Sequence, residues 1–199
     1  MDRLELITAV LLAVATVATA WATYQSARWH GKQALAQGGS LATRVESTRA
    51  SNLANLDAQV DIAIFTQWID AHAAGNTKLA AFYSNRFRPE FRRAFDAWIA
   101  TRLHQNPHAP PTPFAIAQYK LAAAGQANRL ESRSEVFAQA VRRDIERADN
   151  YLLAVVLFAA ALFFAGISTR LHSRRPRSAI LAFGYLLFAG TVIWIATFR

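Results

Sequence analysis

The sequence contains no cysteine. Disulfide bonds, thiolate metal sites and cysteine nucleophiles are therefore excluded. The sequence also lacks the short motifs of zinc proteases, serine hydrolases and phosphate-binding loops. Because no catalytic constellation is visible, we expect a protein that is not an enzyme and has no catalytic, cofactor-binding or metal-ligating residue to name.

Charged residues are absent from three long apolar runs, residues 6–23, 151–168 and 179–198. Each run has roughly the length that a helix needs to cross a hydrocarbon core of about 30 Å. Soluble proteins seldom contain three charge-free runs of this length. The sequence therefore predicts an all-α membrane protein with three transmembrane helices, and the lipid bilayer is its first partner.

These runs divide the chain into five predicted segments. Residues 1–23 form the N-terminus and first span, and residues 24–150 form a helical extramembrane domain. Residues 151–168 form the second span, 169–178 a short arginine-rich loop, and 179–199 the third span. The first span could also be a signal peptide, since Ala18-Thr19-Ala20 fits a cleavage site. Its flank MDRLE lacks the basic start of signal peptides, so we favour a retained span and keep cleavage as the alternative.

The short loop carries four arginines, which sets the expected orientation. Under the positive-inside rule a short basic loop lies in the cytoplasm. In a bacterial inner membrane, residues 24–150 are then periplasmic and the N-terminus is cytoplasmic. Basic residues also flank the large domain, but long segments translocate largely regardless of charge. The arginines expected to contact anionic lipid are Arg170, Arg174, Arg175 and Arg177.

Aromatic residues at the ends of the runs predict where the membrane stops, because amphipathic rings favour the headgroup level. These interface residues are Trp21, Tyr24, Trp29, Tyr151 and Trp194. We expect the first helix to continue beyond the membrane and to be interrupted first at Gly38-Gly39. A stripe at helical spacing, from Phe137 to Leu152, likewise predicts one helix entering the second span.

The sequence predicts that the extramembrane domain is a helical-bundle stalk with a small aromatic head. Apolar residues at helical spacing predict a packed seam, comprising Leu53, Leu56, Val60, Ile64 and Trp68. Two short helices follow, one over 77–85 and one that opens at Pro89. The predicted aromatic core comprises Phe82, Tyr83, Phe87, Phe91, Phe95 and Trp98. A proline-rich loop then precedes a chain that we expect to be helical from Phe114 onward.

Two pairs of polar residues are candidate sites. His104 and His108 have the i, i+4 spacing of a helical metal site, but prolines surround them, so a metal site is not favoured. Asp57 and Asp61 share a helix face and could pair for acid–base chemistry. We interpret both carboxylates as solvated residues of an exposed face.

Two kinds of packing surface are expected. Small residues allow helices to approach closely in lipid, and they form a face of the first span and a pair in the second. These residues are Ala9, Ala13, Thr16, Ala20, Ala161 and Ala165. The face on the first span serves either packing within the chain or self-association. A basic patch in the domain is a candidate surface for an anionic partner, formed by Arg86, Arg88, Arg92 and Arg93.

Four segments carry a resemblance to a known family: ATAWATYQSARWHGKQ, IFTQWIDAHAAGN, FYSNRFRPEFRRAFDAW and FFAGISTRLHSRR. Together they resemble a family of small bacterial inner-membrane proteins with three spans and no established activity. The resemblance extends over nearly the whole length and implies the same order of spans. It brings no functional residues with it.

Three hypotheses of function remain. A membrane-anchored scaffold that binds a protein partner, or itself, comes first because chemistry is absent and helical surface is plentiful. An extracytoplasmic ligand sensor that signals through a partner is second. A passive channel built on the first span is third, with Thr8, Thr16, Thr19 and Thr23 facing the pore. The net charge is +9, but basic and acidic residues are interleaved, so we expect no nucleic acid partner.

Overall fold

The structure is a computed structural model that describes residues 3–101, 109–171 and 173–197, with the side chains of all but Arg3, Leu4 and Arg174. Within these residues there are five α-helices, one short 3-10 helix and no strand. The helices are α1 (Arg3–Ala73), α2 (Thr77–Ser84), α3 (Pro89–Ala100), the 3-10 helix Pro113–Ala115, α4 (Ala122–Ser168) and α5 (Arg174–Thr197).

Three helices are long and apolar enough to cross a membrane. They are the helical segments Glu5–Ala73, Ala122–Ser168 and Arg175–Thr197, each of which contains an apolar window of 18 residues. Their apolar windows have mean hydropathies of 2.0, 2.4 and 2.1. The chain is thus an all-α membrane protein, as the sequence predicts.

Helix α1 runs through 71 residues without a break. The prediction of an interruption at Gly38-Gly39 is therefore wrong. A Cβ atom on Gly39 would lie 2.9 Å from Cε1 of Phe137, closer than real contacts allow. Glycine stands here because the ring of Phe137 packs against the α1 backbone, and one glycine inside a long helix costs only about 1 kcal/mol.

Helix α4 confirms the second expected continuity. It spans 47 residues and carries the stripe from Phe137 to Leu152 without interruption. The expectation of a helix from Phe114 onward is wrong, however. Only a short 3-10 helix occurs there, with irregular chain between it and Ala122.

The chain divides into two compact units. Unit 1 comprises Met1–Gly39 and Val136–Arg199, and unit 2 comprises Ser40–Glu135. Residues 24–39 and 136–150, which the sequence assigns to the extramembrane domain, thus belong to the unit that contains the apolar runs. Helices α1 and α4 each contribute one part to each unit.

Unit 1 contains three packed helical segments. Leu11 of α1 lies in one cluster with Ala165 of α4 and Leu181 of α5. A second cluster joins Ala22 to Ala154 and Ile195. Residue numbers rise along α1 and α5 while they fall along α4, so α4 is antiparallel to both neighbours.

Small residues fill the contacts of unit 1. The alanine side chains of unit 1 with no exposed surface are Ala15, Ala22, Ala148, Ala154, Ala161 and Ala165. Ala161 and Ala165 lie where the sequence predicts a packing pair. The predicted small face of the first span is different, because the structure buries the opposite residues Thr8, Leu11 and Ala15. That face is exposed, so packing of its residues within the chain is wrong for Ala9, Ala13, Thr16 and Ala20.

In unit 2 the helices α1 and α4 also pack through small residues. Ser47 Oγ donates a hydrogen bond of 3.0 Å to the carbonyl oxygen of Ala127. The hydroxyls of Ser40 and Ser134 lie 3.3 Å apart. Short side chains at these positions let the two backbones approach closely.

The predicted seam of α1 is wrong for its larger aliphatic residues. Leu53, Leu56 and Val60 are each more than half exposed. The buried face of the same segment consists of Thr43, Ala50, Ala54, Asp61 and Phe65. Large apolar side chains therefore lie on the outside of unit 2.

Candidate functional site

Rings from four segments of unit 2 form an aromatic cluster. Phe65 of α1 lies near its centre, with ring centroids 5.8 Å from Phe91 and 5.6 Å from Trp98 of α3. Phe114 of the 3-10 helix lies 5.5 Å from Phe65 and 5.1 Å from Phe91. The rings make edge-to-face and stacked contacts with one another, which is the geometry of a packed core.

Two residues of the predicted head lie outside that core. Phe82 is 47% exposed and contributes little to it. Tyr83 contacts Phe82 at 5.6 Å between ring centroids instead. Phe87, Phe91, Phe95 and Trp98 are buried as expected.

A charge cluster lies in the same unit, and it is the candidate functional site. Nη2 of Arg88 lies 2.7 Å from Oδ2 of Asp57 and 2.8 Å from Oε2 of Glu90. Nη1 of the same guanidinium lies 3.1 Å from Oδ2 of Asp61. The hydroxyl of Tyr119 donates to that same oxygen over 3.2 Å. We call these five residues the charge cluster.

Local structure explains how the cluster assembles. Asp57 and Asp61 are one turn apart on α1, so both carboxylates leave the same side of the helix. Arg88 precedes Pro89, the first residue of α3, with an extended backbone (φ −59°, ψ 147°). Glu90 also accepts a hydrogen bond of 3.0 Å from the backbone N–H of Ala122, the first residue of α4. A carboxylate at that position satisfies one free N–H of the helix start.

The electrostatics of the cluster are unbalanced. Three carboxylates face one guanidinium. Burial raises the pKa of Asp61 above its usual range, and the Arg88 charge and the Tyr119 hydrogen bond oppose that effect only in part. Burial, followed by the negative charge of Asp61, also raises the pKa of Tyr119, which keeps its hydroxyl a hydrogen-bond donor.

The cluster overturns the interpretation of both aspartates as solvated residues. The Asp61 side chain has no exposed surface, and that of Asp57 is 24% exposed. Two sequence features point to this arrangement: an Asp-x-x-x-Asp spacing, which places both carboxylates on one helix face, and an Arg-Pro-Glu turn later in the chain. Buried carboxylates need a cation, and the arginine next to the helix-opening proline supplies it.

The predicted basic patch is dispersed. Arg88 turns inward to the carboxylates. The guanidinium of Arg86 stacks 3.5 Å from the ring centroid of Phe82. Arg92 bonds the Ser84 carbonyl and approaches Asp96 at 3.6 Å. Arg93 is exposed.

The predicted interface aromatics fall within unit 1. The rings of Trp21 and Tyr151 meet edge-on at 5.5 Å. Two cations lie near the Trp29 ring, with Lys32 Nζ at 4.0 Å and the Arg147 guanidinium at 4.5 Å from its centroid. Trp194 packs against the core, whereas Tyr24 is 65% exposed.

The arginines of the predicted loop lie largely in a helix. Helix α5 begins at Arg174, so Arg175 and Arg177 belong to its first turn and not to a loop. Arg170 and Arg175 are exposed, and Arg177 is half-buried. The Arg174 side chain lies outside the described residues.

The histidines considered as a metal site, His104 and His108, also lie outside the described residues. Across the part of the chain that the structure describes, no group of three His, Cys, Asp or Glu side chains is placed to hold a metal ion.

The fold and the charge cluster define the class of protein: an all-α membrane protein with a buried ionic cluster beside an aromatic core. No family model, curated protein or solved structure matches this chain.

Proposed function

We propose that this chain is a membrane-anchored scaffold protein of the bacterial inner membrane, which binds a protein through an apolar ridge on α1 in unit 2. The observation that carries this proposal is the exposure of aligned aliphatic side chains. The ridge residues, each more than half exposed, are Leu41, Val45, Leu53, Leu56 and Val60.

The ridge follows one helical face. Leu53, Leu56 and Val60 are separated by three and four residues, and Val45 lies eight residues before Leu53. The buried residues of the same segment lie on the opposite side of α1. Singly scattered apolar residues are normal on protein surfaces, whereas an aligned set indicates a binding surface.

Lipid is a poor match for this ridge. Residues 41–60 include the charged side chains Arg44, Glu46, Arg49 and Asp57. A membrane-crossing helix needs about 20 predominantly apolar residues, so this segment does not fit the hydrocarbon core. A protein surface is the remaining apolar environment that matches a ridge in a polar helix.

A second copy of the chain is also a candidate partner, and it would bind at a different surface. In unit 1 the small face of α1, formed by Ala9, Ala13, Thr16 and Ala20, is exposed. Small residues on a lipid-facing helix surface support helix–helix association. The prediction of possible self-association thus rests on a feature separate from the ridge.

The proposed orientation keeps unit 2 on the periplasmic side. Basic residues in the first turn of α5 oppose the helix dipole, which favours acidic residues there. Arg175 and Arg177 therefore do not serve helix stability, and phosphate groups of anionic lipid offer the compensating charge. Resemblance of the four quoted segments supports the same three-span arrangement.

The alternative functions receive less support. A ligand sensor would use the aromatic head, but its rings pack on one another at 4.8 to 6.3 Å between centroids. A channel would use the threonines of the first span. The hydroxyls of Thr16, Thr19 and Thr23 each bond a carbonyl four residues earlier in their own helix.

Site-specific photocrosslinking in cells tests the proposal. A photoreactive phenylalanine replaces Val45 or Leu56 on the ridge, and Ile62 serves as the matched control. Ile62 is also half exposed on α1 but on another face. We expect protein adducts from the two ridge positions, lost when Leu53 is changed to lysine. Adducts to lipid alone, or equal adducts from Ile62, would contradict the proposal.

A further inference from the structure

The two carboxylate oxygens of Asp61 differ in their hydrogen bonding. Oδ2 accepts from Nη1 of Arg88 and from the hydroxyl of Tyr119. Oδ1 is buried and has no hydrogen-bond partner among the described residues. When the carboxyl group is ionised, a buried oxygen without a partner costs free energy of folding. The oxygen loses its hydrogen bonds to water and gains none from the protein.

Arg88 cannot neutralise the whole cluster. Its Nη2 atom serves Asp57 and Glu90 at 2.7 and 2.8 Å, and these are the shorter contacts. Asp61 receives only the 3.1 Å contact from Nη1. Asp57 and Glu90 keep partial solvent exposure, of 24% and 19%. Of the three acids, the fully buried Asp61 is therefore the one whose negative charge is least compensated.

We propose that Asp61 is a proton-binding site, protonated in folded unit 2, and that loss of this proton to solvent weakens the packing of α1 against the segments that carry Arg88 and Tyr119. The neutral carboxyl still accepts both hydrogen bonds at Oδ2 and carries its proton on Oδ1. The cluster then holds two negative charges against one positive charge. This inference does not depend on the ridge or on its partner.

The groups that face Asp61 come from every segment of the cluster. Asp57 lies on α1, Arg88 immediately before α3, Glu90 within α3, and Tyr119 before α4. Arg88 favours the ionised form of Asp61, whereas Asp57 disfavours it. The hydrogen bond from Tyr119 also favours the ionised form, so Arg88 and Tyr119 together oppose burial.

The sign of the pH effect follows from these contacts. Burial raises the pKa of Asp61 in the folded state, while unfolding returns it to its usual range. The stabilisation from the neutral carboxyl is then fully present below that usual range and is lost as pH rises through the raised value. Unit 2 is expected to be most tightly packed in acid and to loosen as pH rises.

Carboxyl carbon NMR on the full-length protein tests the proposal directly. With ¹³C-labelled aspartate in a non-ionic detergent, the Asp61 resonance is followed from about pH 4 to about pH 9. We expect its midpoint to lie above the usual range of an aspartate side chain. A midpoint for Asp61 within or below that usual range would overturn the proposal.

Thermal unfolding of Asp61→Asn provides the second readout. The amide mimics the neutral carboxyl, so we expect the variant to lose the fall in Tm that wild type shows as pH rises. Asp70→Asn is the matched control and should keep the wild-type slope. An Asp61→Asn protein with that slope unchanged would also overturn the proposal. If this variant does not fold, the wild-type titration decides alone.

Discussion

The cores of the two units differ in their proportions of small and aromatic side chains. In unit 1 the fully buried positions are mostly alanines. In unit 2 the core is a cluster of large rings and encloses a charged group beside it. Both units are helical and share α1 and α4, so the difference does not come from secondary structure.

We attribute the difference to solvent, with lipid proposed around unit 1 and water proposed around unit 2. In lipid there is no hydrophobic force between helices, so close approach through small side chains supplies the packing. In water, burial of large aromatic surface supplies it, at roughly 25 cal/mol per Å² of apolar area. A buried ion pair is tolerated where other groups satisfy it and where nearby segments must be aligned.

The largest effect is expected from removal of an aromatic ring in unit 2. Phe91 has no exposed surface and contacts Phe65, Phe87 and Phe114. Phe91→Ala should destabilise unit 2 by about 4 kcal/mol, because it leaves a cavity that rigid rings cannot fill. Segment-resolved hydrogen exchange measures it, and an equal loss of protection in α5 would contradict the separation of the two cores.

Removal of the central cation comes next. Arg88→Met leaves three carboxylates without their guanidinium and should cost unit 2 about 3 kcal/mol. Arg93→Met is the matched control, since Arg93 is exposed and surface changes stay within about 0.5 kcal/mol. The free energies come from the same exchange measurement. Equal effects of the two changes would show that the charge cluster does not organise unit 2.

Unit 1 should lose stability when a buried alanine is replaced by a larger residue. Ala161 has no exposed surface, and its carbonyl oxygen would lie 3.4 Å from a Cβ atom on Gly184. Ala161→Leu should cost about 2 kcal/mol because the helices must separate. Ala159→Leu, two residues earlier and exposed, should be nearly neutral. Thermal unfolding in detergent measures both, and a tolerated leucine at 161 would contradict the close packing.

The smallest effect separates two adjacent glycines. A Cβ atom on Gly38 meets nothing within 4 Å, whereas one on Gly39 meets the Phe137 ring at 2.9 Å. Gly38→Ala should stabilise the helix by about 1 kcal/mol. Gly39→Ala gains the same helix propensity but must displace the ring, so its melting temperature should fall below that of Gly38→Ala. Equal melting temperatures would remove this account of Gly39.

Sequence predicted the long helices because their cause is local. The run of apolar residues from 151 to 168 follows a polar stretch with the same helical stripe, and nothing between them breaks a helix. Pro89 opening α3 and the buried face of Phe91, Phe95 and Trp98 were predictable for the same reason. Capping, periodicity and hydropathy act within a few turns of chain.

The charge cluster was not predictable in the same way. Its cation lies 27 residues from Asp61 along the chain, and its hydroxyl donor lies 58 residues away. Hydropathy also favoured the wrong face of α1. Leu53, Leu56 and Val60 outweigh the alanines and the aspartate of the opposite face, although small residues are what close helix contact requires.

Cysteine labelling tests most directly the proposed contrast between a unit 1 in lipid and a unit 2 in water. The chain has no cysteine, so single cysteines can replace Lys78 in α2, Ser173 before α5, and Leu186, which is 72% exposed on α5.

A membrane-impermeant maleimide is then added to intact cells. We predict that the cysteine at 78 reacts, that the one at 173 reacts only after the membrane is opened, and that the one at 186 reacts in neither case because lipid covers it. Labelling at 186 would contradict the membrane role of unit 1. Labelling at 173 but not at 78 in intact cells would reverse the proposed orientation.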